Sequence, residues 1–371
     1  MKILMVISDT NIGGAGKWIL EFFRYADKNK FTVKAVVPTG SKLKALYQEE
    51  GMEVIECDGI SDVSFQFNGI KNLRRIFKQE KPHIVHSHGT MSARIAAKLP
   101  FSGVKKVVFT RHSVFEPQGF FTKPVGKLLN RVITALTSDR ITAVCEAAKK
   151  NLTDTGVNPK KIRVIYNGVE ALTPPTPEQR AKSRAEYQLS DNQIACSISA
   201  RLNPVKGHKY LIEAVHRLGS SERLKFFIAG TGQEEENLKE MVRNYGLEKQ
   251  VIFTGFLSDV SSLLYATDVL LNCSYGTEAC SLAILEAFSL GIPCIATDYG
   301  GNPELVKDNV NGLVYPTNDV EALTNALKEV EKQPQKLSLW SQGASTTYTK
   351  GFTVQIMAKN IEKVYEELIN E

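Results

Sequence analysis

No two cysteines in this chain are spaced Cys-x-x-Cys. Cys57, Cys145, Cys196, Cys273, Cys280 and Cys294 are scattered, which argues against a disulfide framework and a zinc site and fits a reducing cytosol. No run reaches the roughly 18 to 20 apolar residues that a membrane span needs. The apolar start, Met1 to Ser8, is cut short by Asp9 and the glycines at 13 and 14. No cleavage pattern follows, so it reads as a buried first strand rather than a signal peptide. Aromatics at 8% and charged residues at 23% are ordinary, which excludes a disordered chain.

What is present is enough for two cores. A chain of 371 residues, 43% of them hydrophobic, exceeds one ordinary domain. Its net charge of +6 is unevenly spread: residues 1–170 carry 27 basic and 15 acidic side chains, the remainder 19 and 25. A basic first half suits an anionic partner, such as a membrane surface, a phosphorylated acceptor or nucleic acid.

Strand and helix patterns alternate. Apolar runs at 2–8, 31–38, 53–57, 83–87, 106–110 and 140–144 predict strands, with helices at 17–25 and 43–50. This is βαβ organisation around a parallel sheet. A boundary falls after Asn167-Gly168. Thr173-Pro-Pro-Thr-Pro177 then breaks any helix or central strand. A second series predicts strands at 194–199, 224–229, 251–253, 269–272 and 293–297, and residues 353–369 read as a closing helix. The expected division is a first domain over 1–170, a linker over 171–190, a second domain over 191–350 and a terminal helix over 351–371.

The most informative segment runs from Ser274 to Pro293. A strand ends near Ser274, a loop carries Glu278, and a helix begins between Cys280 and Ala283 and stops before Gly291. Backbone N–H groups at Cys280, Ser281 and Leu282 would suit an anion or a sugar oxygen. Carboxylates accept hydroxyl hydrogens, so Glu278 and Glu286, eight residues apart, suit a sugar nucleotide. Equally, Glu278 reads as a helix cap and Glu286 as a solvated charge, although Leu285, Ala287 and Phe288 make a costly setting for an unpaired carboxylate.

The segment resembles the Glu-x7-Glu motif of retaining GT-B glycosyltransferases, especially glycosyltransferase family 4. Other matches follow the family's order. Gly13-Gly14 stands after the first strand, and Val164-Ile-Tyr-Asn167-Gly168 is similar to the interdomain hinge. Arg201 to Lys206-Gly207 resembles the diphosphate clamp, and Gly230-Thr-Gly232 the nucleotide-side turn. The resemblance implies an α/β GT-B fold of two Rossmann-like domains facing across a cleft, with the terminal helix crossing back onto the first domain. It implies retaining transfer of a sugar from a nucleotide diphosphate, UDP- or GDP-linked, to an acceptor hydroxyl. Arg201 and Lys206 would neutralise the leaving diphosphate, Glu286 would hold the ribose, and Glu278 with the amides at 280–282 the donor sugar. Gly13, Gly14, Gly230 and Gly232 would lie on the donor side. The usual Glu-Gly-Phe-Gly is here Glu278-Ala-Cys-Ser281, which puts the donor sugar in doubt.

No Asp-x-Asp metal–diphosphate anchor occurs, so no metal and no cofactor are expected, the two cations and helix N-termini standing in for the metal's charge. Gly13-Gly-Ala-Gly-Lys17 is no Walker A loop, because Trp18 stands where a Ser or Thr must be. It is no dinucleotide fingerprint either, because Ile19 replaces the third glycine. It reads as a tight turn bringing a helix N-terminus to an anion, or as a plain strand–helix turn. His83-Ile-Val-His86-Ser-His88 tempts a metal reading, but on a strand His86 and His88 share a face and His83 does not. His86 reads as a core histidine and His88 as an acceptor-side residue at a strand end. His112, at the next strand end, resembles the family's strand-end histidine that faces the donor. Arg111 reads either as a partner for an acidic acceptor or as a surface charge. Lys123, Lys127 and Arg131 form a basic helical stripe opposite Leu128, Leu129, Val132 and Ile133: a solvated face, or a dock for an anionic membrane.

The expected partners are thus a nucleotide sugar, a saccharide or lipid-linked acceptor and an anionic membrane surface, with no nucleic acid. The expected place is cytoplasmic, including the inner face of the membrane. A sugar-nucleotide epimerase and an NAD(P)-dependent oxidoreductase are the rival readings.

Overall fold

The computed structural model describes residues 1–115 and 119–371. The chain opens with β1 (Lys2–Ile7), α1 (Gly14–Tyr25), β2 (Thr32–Pro38), α2 (Leu43–Glu49), β3 (Glu53–Cys57), α3 (Phe67–Glu80) and β4 (Ile84–His88). It continues with α4 (Met91–Lys98), β5 (Lys106–Arg111), α5 (Pro124–Thr137), β6 (Arg140–Ala143), α6 (Glu146–Asp154) and β7 (Ile162–Val164). Then come α7 (Pro177–Glu186), β8 (Ile194–Ser199), α8 (His208–Leu218), β9 (Leu224–Ala229), α9 (Glu235–Asn244), β10 (Val251–Gly255), α10 (Ser261–Ala266) and β11 (Val269–Asn272). The last elements are α11 (Leu282–Ser289), β12 (Cys294–Thr297), α12 (Asn302–Leu305), β13 (Gly312–Tyr315), α13 (Val320–Lys332), α14 (Lys336–Gly351) and α15 (Val354–Asn370).

These elements form two compact units, one of Met1–Gly168 with Val354–Glu371, the other of Val169–Thr353. The first holds a parallel sheet in the order β3-β2-β1-β4-β5-β6-β7. Strand β1 shows why its residues are apolar throughout. Ile3, Met5 and Ile7 pack toward α1 and α15, while Leu4 and Val6 pack toward α3 and α4. A parallel sheet covered on both faces leaves no side of the strand for water. The second unit repeats the plan with the order β10-β9-β8-β11-β12-β13. In each sheet the order reverses beside the first strand of the unit, the place where open α/β sheets leave a crevice at the strands' C-terminal ends.

One expectation changes. Residues 171–190, expected as a linker, are helical over half their length, in α7. Pro177 takes the first helical position of α7, where its missing N–H costs nothing. Thr176 and Gln179 cap that helix reciprocally, at 3.2 and 2.8 Å. Arg180 and Arg184 then bind Asp268 at 2.6 and 3.1 Å, so α7 belongs to the second unit. The terminal helix α15 returns to the first unit, as the resemblance implied: it packs on α1 and is part of that unit's core. Strands β7 and β13, of three and four residues, fall in no run that the sequence reading marked.

Candidate active site

In the second unit, polar side chains converge where β8, β11 and β12 end. Glu278 stands in the loop before α11, only 8% exposed. Its Oε2 accepts from Lys206 Nζ at 2.7 Å and from Ser274 Oγ at 2.9 Å, with Asn272 Nδ2 at 3.5 Å. Burial is the strongest influence and opposes its charge. Lys206, Ser274 and Asn272 together outweigh it and hold the carboxyl below its usual range. Behind this carboxylate, Asn272 Nδ2 donates to Ser281 Oγ at 3.2 Å, and Asn302 Nδ2 donates to Asn272 Oδ1 and Thr297 Oγ1 at 3.3 and 3.1 Å. Thr297 Oγ1 in turn donates to Ser274 O at 2.6 Å. Sequence reasoning missed Asn272, Thr297 and Asn302, because isolated polar residues at two strand ends and a helix start give no spacing to read.

Ser281 is the N-cap of α11, accepting from Ile284 N at 3.5 Å, and Leu282 is the first helical residue. Cys280, Ser281 and Leu282 therefore lie where the α11 macrodipole is positive. Glu286 is half-buried in the second turn.

Backbone packing sets the cation side. Gly207 (φ +71°) lies against β11: a Cβ there would stand 2.0 Å from Cys273 O. That approach seats Lys206 beside Glu278. Gly230 and Gly232 press on the stretch that carries Arg201, with 2.1 Å between a notional Cβ and Ala200 O and 2.2 Å to Leu202 O. Their place in the structure is to hold that stretch, fixed also by Leu202 N donating to Thr231 O at 3.0 Å. The Arg201 side chain is exposed and makes no hydrogen bond or ion pair among the described residues.

In the first unit, the ends of β4 and β5 bring three histidines together. His86 is fully buried, with Nδ1 2.5 Å from Tyr365 Oη and Nε2 2.5 Å from Thr110 Oγ1, as a core histidine should be. His88 is 2% exposed, so it does not line an open surface. The expected acceptor-side role is corrected to a buried one beneath His112. His88 Nδ1 lies 2.8 Å from His112 Nε2, and His88 Nε2 lies 3.4 Å from Met5 Sδ. Trp18 packs against all three rings, at 5.6, 5.0 and 5.7 Å between centroids. His83 turns away and accepts the Lys2 N–H at 2.9 Å.

Burial first, and neighbouring charge second, lower the basicity of all three rings; that of His112 falls to about 3, with Arg111 as the neighbour. Neutral rings carry one proton each. Met5 sulfur can only accept, so His88 carries its proton on Nε2. His88 Nδ1 then accepts, and His112 must donate from Nε2. His112 Nδ1 is left unprotonated, as an acceptor at the strand end.

Comparison with known proteins decides the family. The model for "Glycosyltransferase Family 4" matches residues 12–171, and that for "Glycosyl transferases group 1" matches residues 179–346. An Escherichia coli relative is 30% identical over 84% of this chain and 82% of its own. It is the UDP-Gal:alpha-D-GlcNAc-diphosphoundecaprenol alpha-1,3-galactosyltransferase. The chain belongs to glycosyltransferase family 4.

A second relative of this family 4 glycosyltransferase comes from Arabidopsis thaliana. It is one of the subunits of phosphatidylinositol N-acetylglucosaminyltransferase, 30% identical over 74% of this chain and 63% of its own. The fold is GT-B: Anabaena HepE, solved in complex with UDP, superposes with a TM-score of 0.85 at 21% identity, over 99% of this chain and all of that one.

At the first turn of the family 4 chain, Gly13 is extended (φ −136°) and Gly14 opens α1, so neither glycine is demanded by backbone conformation. The anion-binding reading of this turn and a donor-side role for it stay with the resemblance. Arg111 is not a solvated charge: its Nε donates to Ser113 O at 2.9 Å, Nη2 donates to Asn151 Oδ1 at 3.2 Å, and its plane covers Phe115 at 4.8 Å. The basic stripe sits on α5, but the apolar side opposite is not packed away. Val125, Leu128 and Leu136 are 63 to 70% exposed, and Leu129 and Val132 are exposed too. What α5 buries is small, Gly126, Thr134 and Thr137.

Proposed function

We propose that this protein transfers a sugar, with retention, from a UDP- or GDP-sugar to a hydroxyl of a saccharide or lipid-linked acceptor, without a metal. The observation that carries the reading is the contact of Lys206 with Glu278 in the loop that leads into α11, with Arg201 on the same stretch as Lys206 and without a side-chain partner among the described residues. Two cations and a helix terminus can stabilise a departing diphosphate electrostatically, and Glu278 can accept sugar hydroxyls. The E. coli relative's UDP-linked donor and the UDP bound in the Anabaena protein support a uridine donor.

The sequence offers no carboxylate or imidazole clearly placed as a base behind the anomeric carbon and no clear nucleophile, which favours same-face attack. In that scheme the departing phosphate oxygen takes the acceptor's proton as the new glycosidic bond forms and the old one breaks. A thermal-shift screen of UDP-, GDP- and ADP-sugars picks the donor. NMR of the early product then reads the anomer, and an inverted linkage overturns the mechanism. Turnover of donor without acceptor would favour an epimerase, NAD(P) binding an oxidoreductase, and activity lost to EDTA and restored by magnesium would end the metal-free reading.

A second reading concerns place. No helix of the described residues is long and apolar enough to cross a membrane. The exposed apolar face of α5, with Phe120 and Phe121 before it and Lys123 and Arg131 beside it, supports docking at an anionic membrane interface on the cytoplasmic side.

A further inference from the structure

From Lys81 to Ser138 the sequence holds nine Lys and Arg and a single acid, Glu116. Glu116 lies outside the described residues, and α4, β5 and α5 contain no acid. Within this stretch Arg94 is 5% exposed. Its guanidinium lies over the Phe109 ring, 4.2 Å from the centroid, and makes no hydrogen bond or ion pair among the described residues. Nε and Nη1 are sealed from solvent without an acceptor, leaving Nη2 as the atom that can meet a ligand. A guanidinium without a counterion is among the most costly groups to bury, and each such case asks for an explanation.

Arg111 belongs to the same feature. It follows Phe109 by two residues on β5 and so shares its face. Its partners, Ser113 O, Asn151 Oδ1 and the Phe115 ring, are all neutral. Burial, and then the charge of Arg111, depress the basicity of Arg94 to about 10, which agrees with two cations close together in a site with little water. Folding gains nothing from such a pair, whereas a bound anion would relieve both. Arginine, with its planar fork of donors, fits phosphate oxygens better than lysine does.

We propose that Arg94 and Arg111 form an anion site at the C-terminal end of β5 that takes a phosphate group of the acceptor. The identity of the ligand as acceptor phosphate rests on the reading of the protein as a transferase to a phosphate-bearing lipid or saccharide; the anion site itself does not. The E. coli and Arabidopsis relatives, whose names carry a diphospholipid and a phosphatidylinositol, are consistent with that ligand class.

The test uses the full chain and the variants Arg94→Met, Arg111→Met and Lys206→Ala. Methionine fills the arginine's space without its charge, so Arg94→Met should melt at the same temperature as the parent or higher. Sodium phosphate and pyrophosphate should raise the melting temperature of the parent and of Lys206→Ala, and should lose most of that effect in both arginine variants. In transfer assays, KM for a diphosphate-linked saccharide should rise about tenfold to a hundredfold, while KM for the same saccharide without phosphate and for the nucleotide sugar stays put. Sedimentation with anionic vesicles should be unchanged, which separates the acceptor's phosphate from lipid headgroups. The phosphate response needs no turnover, so it decides the site even where the transferase reading fails. An Arg94→Met protein that melts lower and responds to phosphate like the parent would make Arg94 a packing residue for Phe109 and overturn the proposal. So would a Glu116→Gln variant destabilised enough to show that Glu116 is the counterion.

Discussion

Lys206 and Glu278, 72 residues apart in the chain, meet at 2.7 Å through one carboxylate oxygen, Oε2. The cation suited to a leaving diphosphate is thereby fixed by the carboxylate suited to the sugar, and Lys206 helps to keep the buried Glu278 charged. Glu278 Oε1 has no partner among the described residues and is free to accept a hydroxyl.

The clamp residues should separate by what they do to stability. Arg201→Ala and Lys206→Ala should each lower turnover by about 10² to 10³, or ~2 to 4 kcal/mol of transition-state stabilisation. Arg201 is exposed and unpartnered, so its loss should leave urea unfolding unchanged. Lys206→Ala strands a buried carboxylate and should destabilise the second unit by about 2 kcal/mol, a loss that adding Glu278→Gln largely restores. Near wild-type turnover in both single variants defeats the assignment.

The histidine chain makes a spectroscopic prediction. In nitrogen-15 spectra His112 should show a protonated Nε2 and a bare Nδ1, and should stay neutral from pH 8 to pH 5. Met5→Leu removes the sulfur that holds the His88 proton and should let the tautomers of both rings exchange. His112→Gln retains a donor toward His88 but loses the Nδ1 acceptor, and should slow transfer about tenfold. A wild-type His112 protonated on Nδ1 refutes the chain of donors.

Acid should destabilise the fold well above the carboxylate range. His86, His88, His112 and His208 all have basicities below the ordinary histidine value, chiefly through burial, with His208 at about 4. The unfolded chain therefore binds protons that the folded chain refuses. Stability is highest above about pH 7 and falls as pH drops through about 6.5, by up to ~1.4 kcal/mol per pH unit for each fully buried ring. Below about pH 4.5 the protonation of Glu278, which is held low in the fold, adds to the loss. Denaturant titrations at pH 7, 6 and 5 measure the slope; a flat profile means that these rings take up protons without unfolding.

Membrane docking should reside in α5. Leu128→Glu and Leu136→Glu lie on exposed positions and should leave melting unchanged while abolishing sedimentation with anionic vesicles. Binding of the parent should weaken with salt through Lys123 and Arg131. Equally poor sedimentation with anionic and neutral vesicles at low salt would leave the apolar face without this partner.

How far the sequence could be read depended on how locally each feature is encoded. Strands β8, β9 and β11 begin and end where the apolar runs do, because a strand buried on both faces is apolar along most of its length. The Lys206–Glu278 segment was legible through its glycines and its strand–loop–helix order. On α5 the same periodicity misled: a two-faced helix tells which residues lie together, not which side the fold covers, and here the fold covers Gly126 and Thr134. The support of Glu278 by Asn272, Thr297 and Asn302 is assembled from two strand ends and the start of α12 and leaves no mark at any one of them. Arg94 left only a weak signal, a long stretch almost empty of acids.

The chain leaves the first unit at Gly168 and re-enters it at Val354, where Val169 and Thr353 pair as a single parallel bridge. Met357, Ile361, Tyr365 and Leu368 of α15 are core residues of that first unit, and Tyr365 is a partner of His86. On the ribosome, then, the first unit to be made is the last that can be finished. The second unit has all its residues once Thr353 has emerged, while the first waits with one flank of its core open until the closing helix leaves the exit tunnel. Truncation within α15 would therefore harm the unit built mainly from residues far upstream of it.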